Sequence, residues 1–458
     1  MPVINRHLIN PDIDFDGANR DDLFRLINRW KRLLVYGYGA DKGQVLALAI
    51  ITPNTNHVAC VFAAAELGLK LLVISKPIAK ETIHATKMGI FGPVDITVSQ
   101  GFPLDDPHHD MVQTYSKQVC LESEIDTVIS DDDVMSPVIT EDDEFLFAST
   151  SGTTGKSKPV MFTHRETLAI SKRNLSVFDI TKETIAQHTS SFHHASAMLT
   201  FMLPTLMVAD KHYYGTMALI DIGFIKNSTP ENFVKEFILE KNVNAMMLTA
   251  PVGIKWLLDA MEPHKHLIKT KIKINISGFT VFEKLYDDAK NLPIEFYSHY
   301  GSVDTGIPLL VNHIDENSFY EKDKLGVAPD DFYKIDGEYI TCPVLWEEPR
   351  KLPDQLYVRD GVYFYGERIE NGADYSIALK ELFDEQIGDH TFCKTENGGY
   401  LIIWDENANI DFEGGKSYVH KSFSRVVYLN KQNFMVDTKV SMEQLRAYLE
   451  HHYEQVQD

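Results

Sequence analysis

The sequence predicts an α/β protein with a compact tail, and three observations carry that expectation. Near the start, "GQVLALAIITPNTNHVACVFAAAELGLKLLVISKP" reads as strand, helix, strand. In the middle, helical and strand patterns alternate from "TPENFVKEFILEKN" to "IEFYSHYG". Past about Gly337 the texture changes to short strands and turns.

Each element follows from its pattern. The apolar, β-branched run Val45 to Ile51 reads as a buried strand, His57 to Leu67 as a helix, and "KLLVIS" as the next strand. That βαβ unit is the building block of a parallel sheet. "MGIFGPVDITVSQG" adds a further strand. The Asp-rich stretch "LESEIDTVISDDDVMSPVITEDDE" reads as exposed loop and linker before the core strand "FLFAST". Then come helix "TPENFVKEFILEKN", strand "NAMMLTA", helix "PVGIKWLLDAME", strand "KIKINIS", helix "FEKLYDDAKNL" and strand "IEFYSHYG". "GEYITCPV" and "QLYVRDGVYFYGE" are short strands. From about Glu367 a tail follows, with helix "SIALKELFDEQ", strands "GGYLIIWD" and "RVVYLN", and the closing helix "SMEQLRAYLEHHYEQ". The domain boundary is expected near Gly366, dividing residues 1–365 from 367–458. No internal repeat or low-complexity segment is visible.

The 458 residues suffice for a large core and more than one domain. Apolar residues make up 44% and charged residues 24%, the range of a soluble globular chain. No apolar run is long enough to span a bilayer, and "MPVINRHLINPD" lacks the features of a signal peptide, so a cytoplasmic protein with no membrane partner is expected. Cys60, Cys120, Cys342 and Cys393 form no CxxC pair, which makes buried free thiols the expectation. A net charge of −22 argues against a nucleic-acid partner. It leaves room for a small anion, since a local cluster of lysines and backbone N–H groups can hold a phosphate in an acidic protein.

"EFLFASTSGTTGKSKPVMFTHRETL" holds the most informative loop. Glycines let a backbone turn tightly and present N–H groups, hydroxyls donate hydrogen bonds, and lysine supplies charge, which together suit phosphate. A Walker-type loop would need glycine at position 150, where the chain has Thr150. It would also open a helix, whereas this loop precedes the β-rich run "PVMFTH". The loop therefore lies between two strands. The alternative is a flexible hairpin without a ligand.

"TSGTTGKSKPV" resembles the phosphate-loop signature of the adenylate-forming superfamily, which contains acyl-CoA and aryl-CoA synthetases, nonribosomal-peptide adenylation domains and luciferases. Ser157 and Pro159 stand where that signature has Pro and Gly. Further motifs follow in order. "SGF" resembles the turn against the adenine, "SHYGSVDTG" the Tyr-Gly-Ser-Thr-Glu motif, "LPDQLYVRDGVYFYGER" the segment with the ribose acid and the hinge, and "VDTKVSMEQL" the segment with the terminal lysine. The resemblance covers roughly residues 30 to 450.

What the resemblance implies is specific. The fold would be a large N-terminal domain of βα subdomains with mixed sheets, plus a small α+β C-terminal domain on a hinge near Glu367. Thr150, Ser151, Gly152, Thr153, Thr154, Gly155, Lys156 and Lys158 would hold the ATP phosphates. Gly278 and Phe279 would lie against adenine, Tyr300 would stack on it, and Gly301 and Ser302 would follow. Asp304 would help hold Mg²⁺, with Val303 in the place of a threonine. Asp354 would bind the ribose hydroxyls, and Arg368, displaced by one residue, would contact the ribose. Lys439 would be the catalytic lysine, and His193 or His194 would face the acid. The expected activity is ATP-dependent formation of an acyl-adenylate from a carboxylic acid, then transfer to a thiol, with coenzyme A as co-substrate. Two alternatives stay open: a stand-alone adenylation enzyme that loads a separate carrier protein or an amine, and a non-catalytic nucleotide-binding relative.

Several of these residues also have purely structural readings. Tyr300 suits a core, Asp354 a turn and Lys439 a solvated helix start. "AMLTFMLPTL" fits an apolar acid pocket, but a buried helix is the preferred reading. "DPHHD" reads as a surface loop rather than a metal site, because adjacent histidines point apart, and His451 and His452 read as exposed.

Overall fold

A computed structural model describes residues 3–50, 54–75, 94–100, 116–149, 159–189, 196–214, 230–248, 251–277, 281, 283–303, 308–337, 339–343, 345–346, 348–352, 354–368, 390–395, 398–404, 425–436, 439–440, 444–445 and 448–449. Its architecture is α/β with two large mixed sheets and several small ones.

The first large sheet has six strands, in the order Ser116–Leu121, Val94–Ser99, Val45–Ile50, Lys70–Ser75, Glu144–Ser149, Pro159–Thr163. The first five run parallel, and the last pair is antiparallel. Strands buried on both faces need continuous apolar sequence, which "VLALAI" and "KLLVIS" supply. Pro159 can sit in this sheet because it opens an edge strand, where a missing N–H costs nothing.

The second large sheet has eight strands, in the order Leu310–Ile314, Ile294–Tyr300, Ile272–Ser277, Ala245–Leu248, Ile185–His188, Lys211–Tyr214, Asp14–Phe15, Ala18–Asn19. It is parallel in the middle and antiparallel at both ends. The helix Glu283–Asn291 connects two parallel neighbours, Ile272–Ser277 and Ile294–Tyr300.

Helix boundaries follow local chemistry. Asn19 and Asp22 form a reciprocal capping box before Arg20–Arg32, and Arg29, Lys31 and Arg32 occupy its last turn, where the helix dipole favours cations. Thr163 and Glu166 do the same for His164–Val177. Thr55–Leu67 stops at Gly68, whose φ of +67 suits glycine.

The N-terminal segment ties the two large sheets together. Asp14 and Phe15 extend the second sheet by pairing with Lys211 and His212. Eight residues earlier, the buried Arg6 donates from Nε to Glu66 at 2.7 Å and from Nη2 to the other Glu66 oxygen, and Lys31 adds Asp133 at 2.6 Å. Glu66 lies on helix Thr55–Leu67, against the first sheet.

The acidic stretch after Leu121 differs from a free linker. Ser116–Leu121 is an edge strand that leads into it, Glu122–Thr127 is a 3₁₀ turn, and the rest is held from below. Asn28 donates to the Asp131 carbonyl at 2.8 Å, Lys31 to the Ser136 hydroxyl at 2.8 Å, and Lys42 to the Val138 carbonyl at 2.9 Å.

Small sheets follow the second large one. Lys324–Gly326, Val362–Arg368 and Asp354–Arg359 form one of them. Gly326 has φ +96, and a Cβ there would lie 2.0 Å from the Val311 carbonyl oxygen, so only glycine lets this sheet approach Leu310–Ile314. Val311 and Val327 exchange backbone bonds of 2.9 and 3.0 Å at that junction. Near the C-terminus, His390–Thr395, Gly398–Ile403 and Arg425–Tyr428 form a three-stranded sheet with Ile402, Val427, Leu429, Leu445 and Leu449 as its core. The predicted helix "SIALKELFDEQ" lies outside the described residues. The strand Val362–Arg368 runs through the expected boundary at residue 366.

Candidate functional site

The loop Thr150 to Lys158 connects Glu144–Ser149 to Pro159–Thr163, as expected of a hairpin between strands; the loop itself lies outside the described residues. Its flanks are firm. Phe145, Leu146, Ala148 and Phe162 are buried in the core shared with Leu168 and Ile170 of the following helix.

Tyr300 ends a parallel strand of the second sheet, and Gly301 and Ser302 follow it. The Tyr300 ring is half-buried and rests on a cluster of Leu309, Leu310, Tyr333, Ile340, Cys342 and Leu352. A half-buried aromatic ring at a strand end offers a flat apolar surface of the kind that suits a planar base. Its backbone is fixed as well, since Leu309 N–H donates to the Tyr300 carbonyl at 2.7 Å. Val303 packs on the same large core as Val160 and Phe162 of the strand that follows loop 150–158. Packing on that core accounts for an apolar residue at 303. Asp304 lies outside the described residues, as do Gly278, Phe279, His193 and His194.

Asp354 and Arg368, the two ribose candidates, are cross-strand register partners in the pair Asp354–Arg359 and Val362–Arg368. Lys439 pairs with Val436 in a two-stranded hairpin, Met435–Val436 with Lys439–Val440.

The segment "AMLTFMLPTL" is a buried helix, as preferred from its pattern. Ala197–Met202 continues into Leu203–Val208, and Met198, Leu199, Met202, Leu203 and Leu206 are at most 1% exposed. Cys60, Cys120 and Cys342 are buried free thiols, and burial raises the first two above the usual thiol range. "DPHHD", His451 and His452 lie outside the described residues.

Among the described residues no group of three or more His, Cys, Asp or Glu could hold a metal ion. A hard cation that keeps its waters and binds nucleotide phosphates needs one or two carboxylates, not an all-protein cage.

Sequence reasoning missed Arg173. It lies in the helix His164–Val177 and reaches Pro308 and Asp330. "AISKRNL" offers no motif that marks it, because its partners are far away in sequence.

Comparison with known proteins decides the family. The model of the "AMP-binding enzyme" family matches residues 21–328, more than half of the chain. The chain belongs to the AMP-binding enzyme family. As a member it is similar in fold to o-succinylbenzoate CoA synthetase (MenE) of Bacillus subtilis, with TM-score 0.68, 14% identity, and coverage of 96% of this chain and 97% of that one. It is also similar to the N-terminal domain of FACL13 from Mycobacterium tuberculosis, with TM-score 0.62, 16% identity, and coverage of 77% and 93%. At these identities the likeness is one of fold. YdaB of Bacillus subtilis (strain 168), which carries an acyl-CoA ligase name, is 26% identical over 167 residues. That match spans 36% of this AMP-binding enzyme and 31% of YdaB. Among the described residues no helix is long and apolar enough to cross a membrane.

Proposed function

We propose that the chain activates a carboxylic acid with ATP as an acyl-adenylate, releases pyrophosphate, and passes the acyl group to a thiol, with coenzyme A as the acceptor. The observation that carries this reading is the half-buried Tyr300 ring at the carboxyl end of the strand Ile294–Tyr300, followed by Val303 packed on the core that also takes Val160 and Phe162, next to the loop 150–158 in sequence. Ligands of open α/β sheets bind at the carboxyl ends of strands.

The chemistry sets the tasks. A carboxylate oxygen attacks the α-phosphorus, the bond to the bridging oxygen breaks, and pyrophosphate leaves. No general base is needed, because the acid is already ionised. Negative charge meets negative charge, so catalysis consists of positioning and charge stabilisation. In this reading Tyr300 supports the adenine beside Gly278 and Phe279, and Asp354 and Arg368 hold the ribose. The hydroxyls of the phosphate loop, Lys156 and Lys158 hold the β- and γ-phosphates. Mg²⁺ supplies charge neutralisation at the phosphates, with Asp304 as its protein ligand. Lys439 bridges the carboxylate and the α-phosphate. His193 or His194 lines the acid site.

Residues 367–458 form a small domain that turns about Gly366 to Arg368 between the two half-reactions. In the second, the thiol sulfur attacks the acyl carbon and AMP leaves. The bridging lysine would belong to the first half-reaction only.

The test is pyrophosphate release from ATP and Mg²⁺ with a panel of aliphatic, aromatic and amino acids, followed by coenzyme A. Release with one acid class, and thioester formed from free coenzyme A, supports the reading. Adenylate that persists with coenzyme A points to a separate carrier protein or an amine as acceptor. ATP binding without release for any acid would sink the enzymatic reading and leave a nucleotide-binding relative.

A further inference from the structure

Ile4 and His164 meet in the core from 160 positions apart. The Ile4 backbone N–H donates to His164 Nδ1 at 3.2 Å, and both residues are fully buried. His164 opens the helix His164–Val177, and its ring stacks on Phe145 of strand Glu144–Ser149, with centres 4.9 Å apart and 23° between the planes. A helix and a core strand thus fix the ring. Ile4 lies instead in an irregular stretch, before the short 3₁₀ turn Arg6–Leu8.

The bond decides where the proton sits. A ring nitrogen that accepts carries no hydrogen, so the neutral imidazole bears its proton on Nε2. Nε2 is buried with no hydrogen-bond partner in the protein. A second proton must go to Nδ1, where it meets the Ile4 N–H. Two donors would then face each other, and the imidazolium would lack an acceptor at either nitrogen, a costly state in a buried site.

The acids nearby are committed elsewhere. The charged groups that reach the ring from neighbouring elements are Asp143 and Lys42, and they hold each other at 2.7 Å. On the helix itself, Arg165 pairs with Asp142 at 2.7 Å, and Glu166 accepts the Thr163 N–H at 2.8 Å. On the N-terminal segment, Arg6 binds Glu66 at 2.7 Å. Burial lowers the His164 ring to about 4.

We propose that the bond from Ile4 to His164 is an acid-sensitive latch on the N-terminal segment: a proton on the ring opens it, and the stretch before Arg6 lifts from the core so that water reaches both ring nitrogens. Opening stops at Arg6. Burial works against the Glu66 carboxylate, but the bonds from Arg6 hold it below its ordinary value, so this ion pair persists in mild acid. Further on, the Asn10 N–H stays bonded to the Leu206 carbonyl at 2.9 Å.

The opened ring titrates near 6.5 and the closed one near 4, so the opened form takes up the proton first as the pH falls. Opening becomes roughly tenfold more favourable per pH unit in that window, or about fiftyfold between pH 7 and pH 4.5.

The experiment is hydrogen–deuterium exchange of the full chain from pH 7 to pH 4.5, corrected for intrinsic rates and resolved to single amides by fragmentation. Protection of the Ile4 amide is expected to fall about fiftyfold, and that of Asn10 and strand Lys70–Ser75 far less. In His164→Asn, Oδ1 replaces Nδ1 as the acceptor and does not titrate, so Ile4 protection should stay level with pH. If that variant does not fold, His164→Gln takes its place, and the comparison of amides within the parent needs no variant. Ile4 protection in the parent that does not change with pH overturns the proposal. An equal fall at Ile4, Asn10 and the strand also overturns it, because the whole molecule would then be opening. So does a His164→Asn variant that loses Ile4 protection as the parent does, which would place the acid response on other groups, such as His188 and His212.

Discussion

Asp354 and Arg368 face each other across an antiparallel pair: the first residue of strand Asp354–Arg359 is the register partner of the last residue of Val362–Arg368. Fourteen positions apart in sequence, the acid and the base proposed for one ribose are brought to the same end of one small sheet. The pairing also brings the displaced arginine level with the acid along the backbone. The ladder shifts register between Asp354 and Leu356, which changes which residue of the partner strand comes level with the acid.

The ribose is common to ATP and AMP, so Asp354→Ala should weaken both nucleotides alike. A hydrogen bond to a charged acceptor contributes about 1.5–3 kcal/mol. Calorimetric titration with each nucleotide checks this. Parent-like affinity for both would reduce Asp354 to a turn residue.

The junction of the two large sheets offers a test of stability. Glu66 receives Arg6 through both oxygens and lies 3.3 Å from Lys31 Nζ, with side chains only 10%, 8% and 1% exposed. Burial alone would raise the Glu66 carboxyl, but the bonds from Arg6 and the nearby charge of Lys31 outweigh it and hold the group below its ordinary value. Glu66→Ala leaves the buried Arg6 and Lys31 to share Asp133, at 3.4 and 2.6 Å, a loss of up to about 3–5 kcal/mol. Urea unfolding at neutral pH would show the loss, and a change within error would mean that the ion pairs contribute little.

A buried pair of histidines predicts a pH dependence. His188 Nε2 lies 3.1 Å from His212 Nδ1, and the rings are 5.4 Å apart with 7° between their planes. His212 Nε2 lies 3.2 Å from the Ala209 carbonyl, which can only accept, so His212 donates there and receives the proton of His188 at Nδ1. Burial lowers His212 to about 4 and holds His188 well below its ordinary value. In the unfolded chain both take a proton below about pH 6.5. The unfolded state therefore binds more protons across that window, and stability falls as the pH drops from about 6.5 towards 4. His212→Phe should flatten the slope of the urea midpoint against pH in this window. An unchanged slope would show that other groups carry the acid sensitivity.

Most of the fold was legible because buried parallel strands announce themselves. Lys70–Ser75 is the run "KLLVIS" without a residue's error, and Val45–Ile50 starts at the expected residue. Helix Thr55–Leu67 begins two residues before its apolar pattern, because its cap is unusual. Asn54 and His57 hold each other's backbone N–H groups where a Ser or Thr with a Glu would be looked for. The strand Ser116–Leu121 escaped notice because it is a polar edge strand, paired with Val94–Ser99 alone. The acidic stretch read only as exposed loop and linker, without its anchors, because charges on a chain do not name their partners. Asp133 meets Lys31 from 102 positions away, and Arg173 meets Asp330 from 157. Candidate site residues were legible wherever they sit in one short motif, as with Tyr300, Gly301 and Ser302. Arg173 belongs to no motif and emerges only when helix, hairpin and small sheet are in place.

Lys439 carries the sharpest test of mechanism. It follows Met435–Val436 in a hairpin whose strands meet at Val436 and Lys439, so its backbone is held by a ladder and not by a free tail. A lysine delivered by a turning domain acts only while that domain is closed over the ATP. For Lys439→Ala, adenylate formation from acid and ATP should fall by roughly 10²–10³, the effect of removing one transition-state donor. Thioester formation from a synthetic acyl-adenylate and thiol should stay near the parent rate, because the domain would then have turned Lys439 away. Rapid-quench measurement of each half-reaction separates the two. Loss of both together would make Lys439 a support of the small domain and end the alternation reading. If neither changes, the bridging cation is another lysine of the tail, and Lys416 and Lys431 are the next to replace.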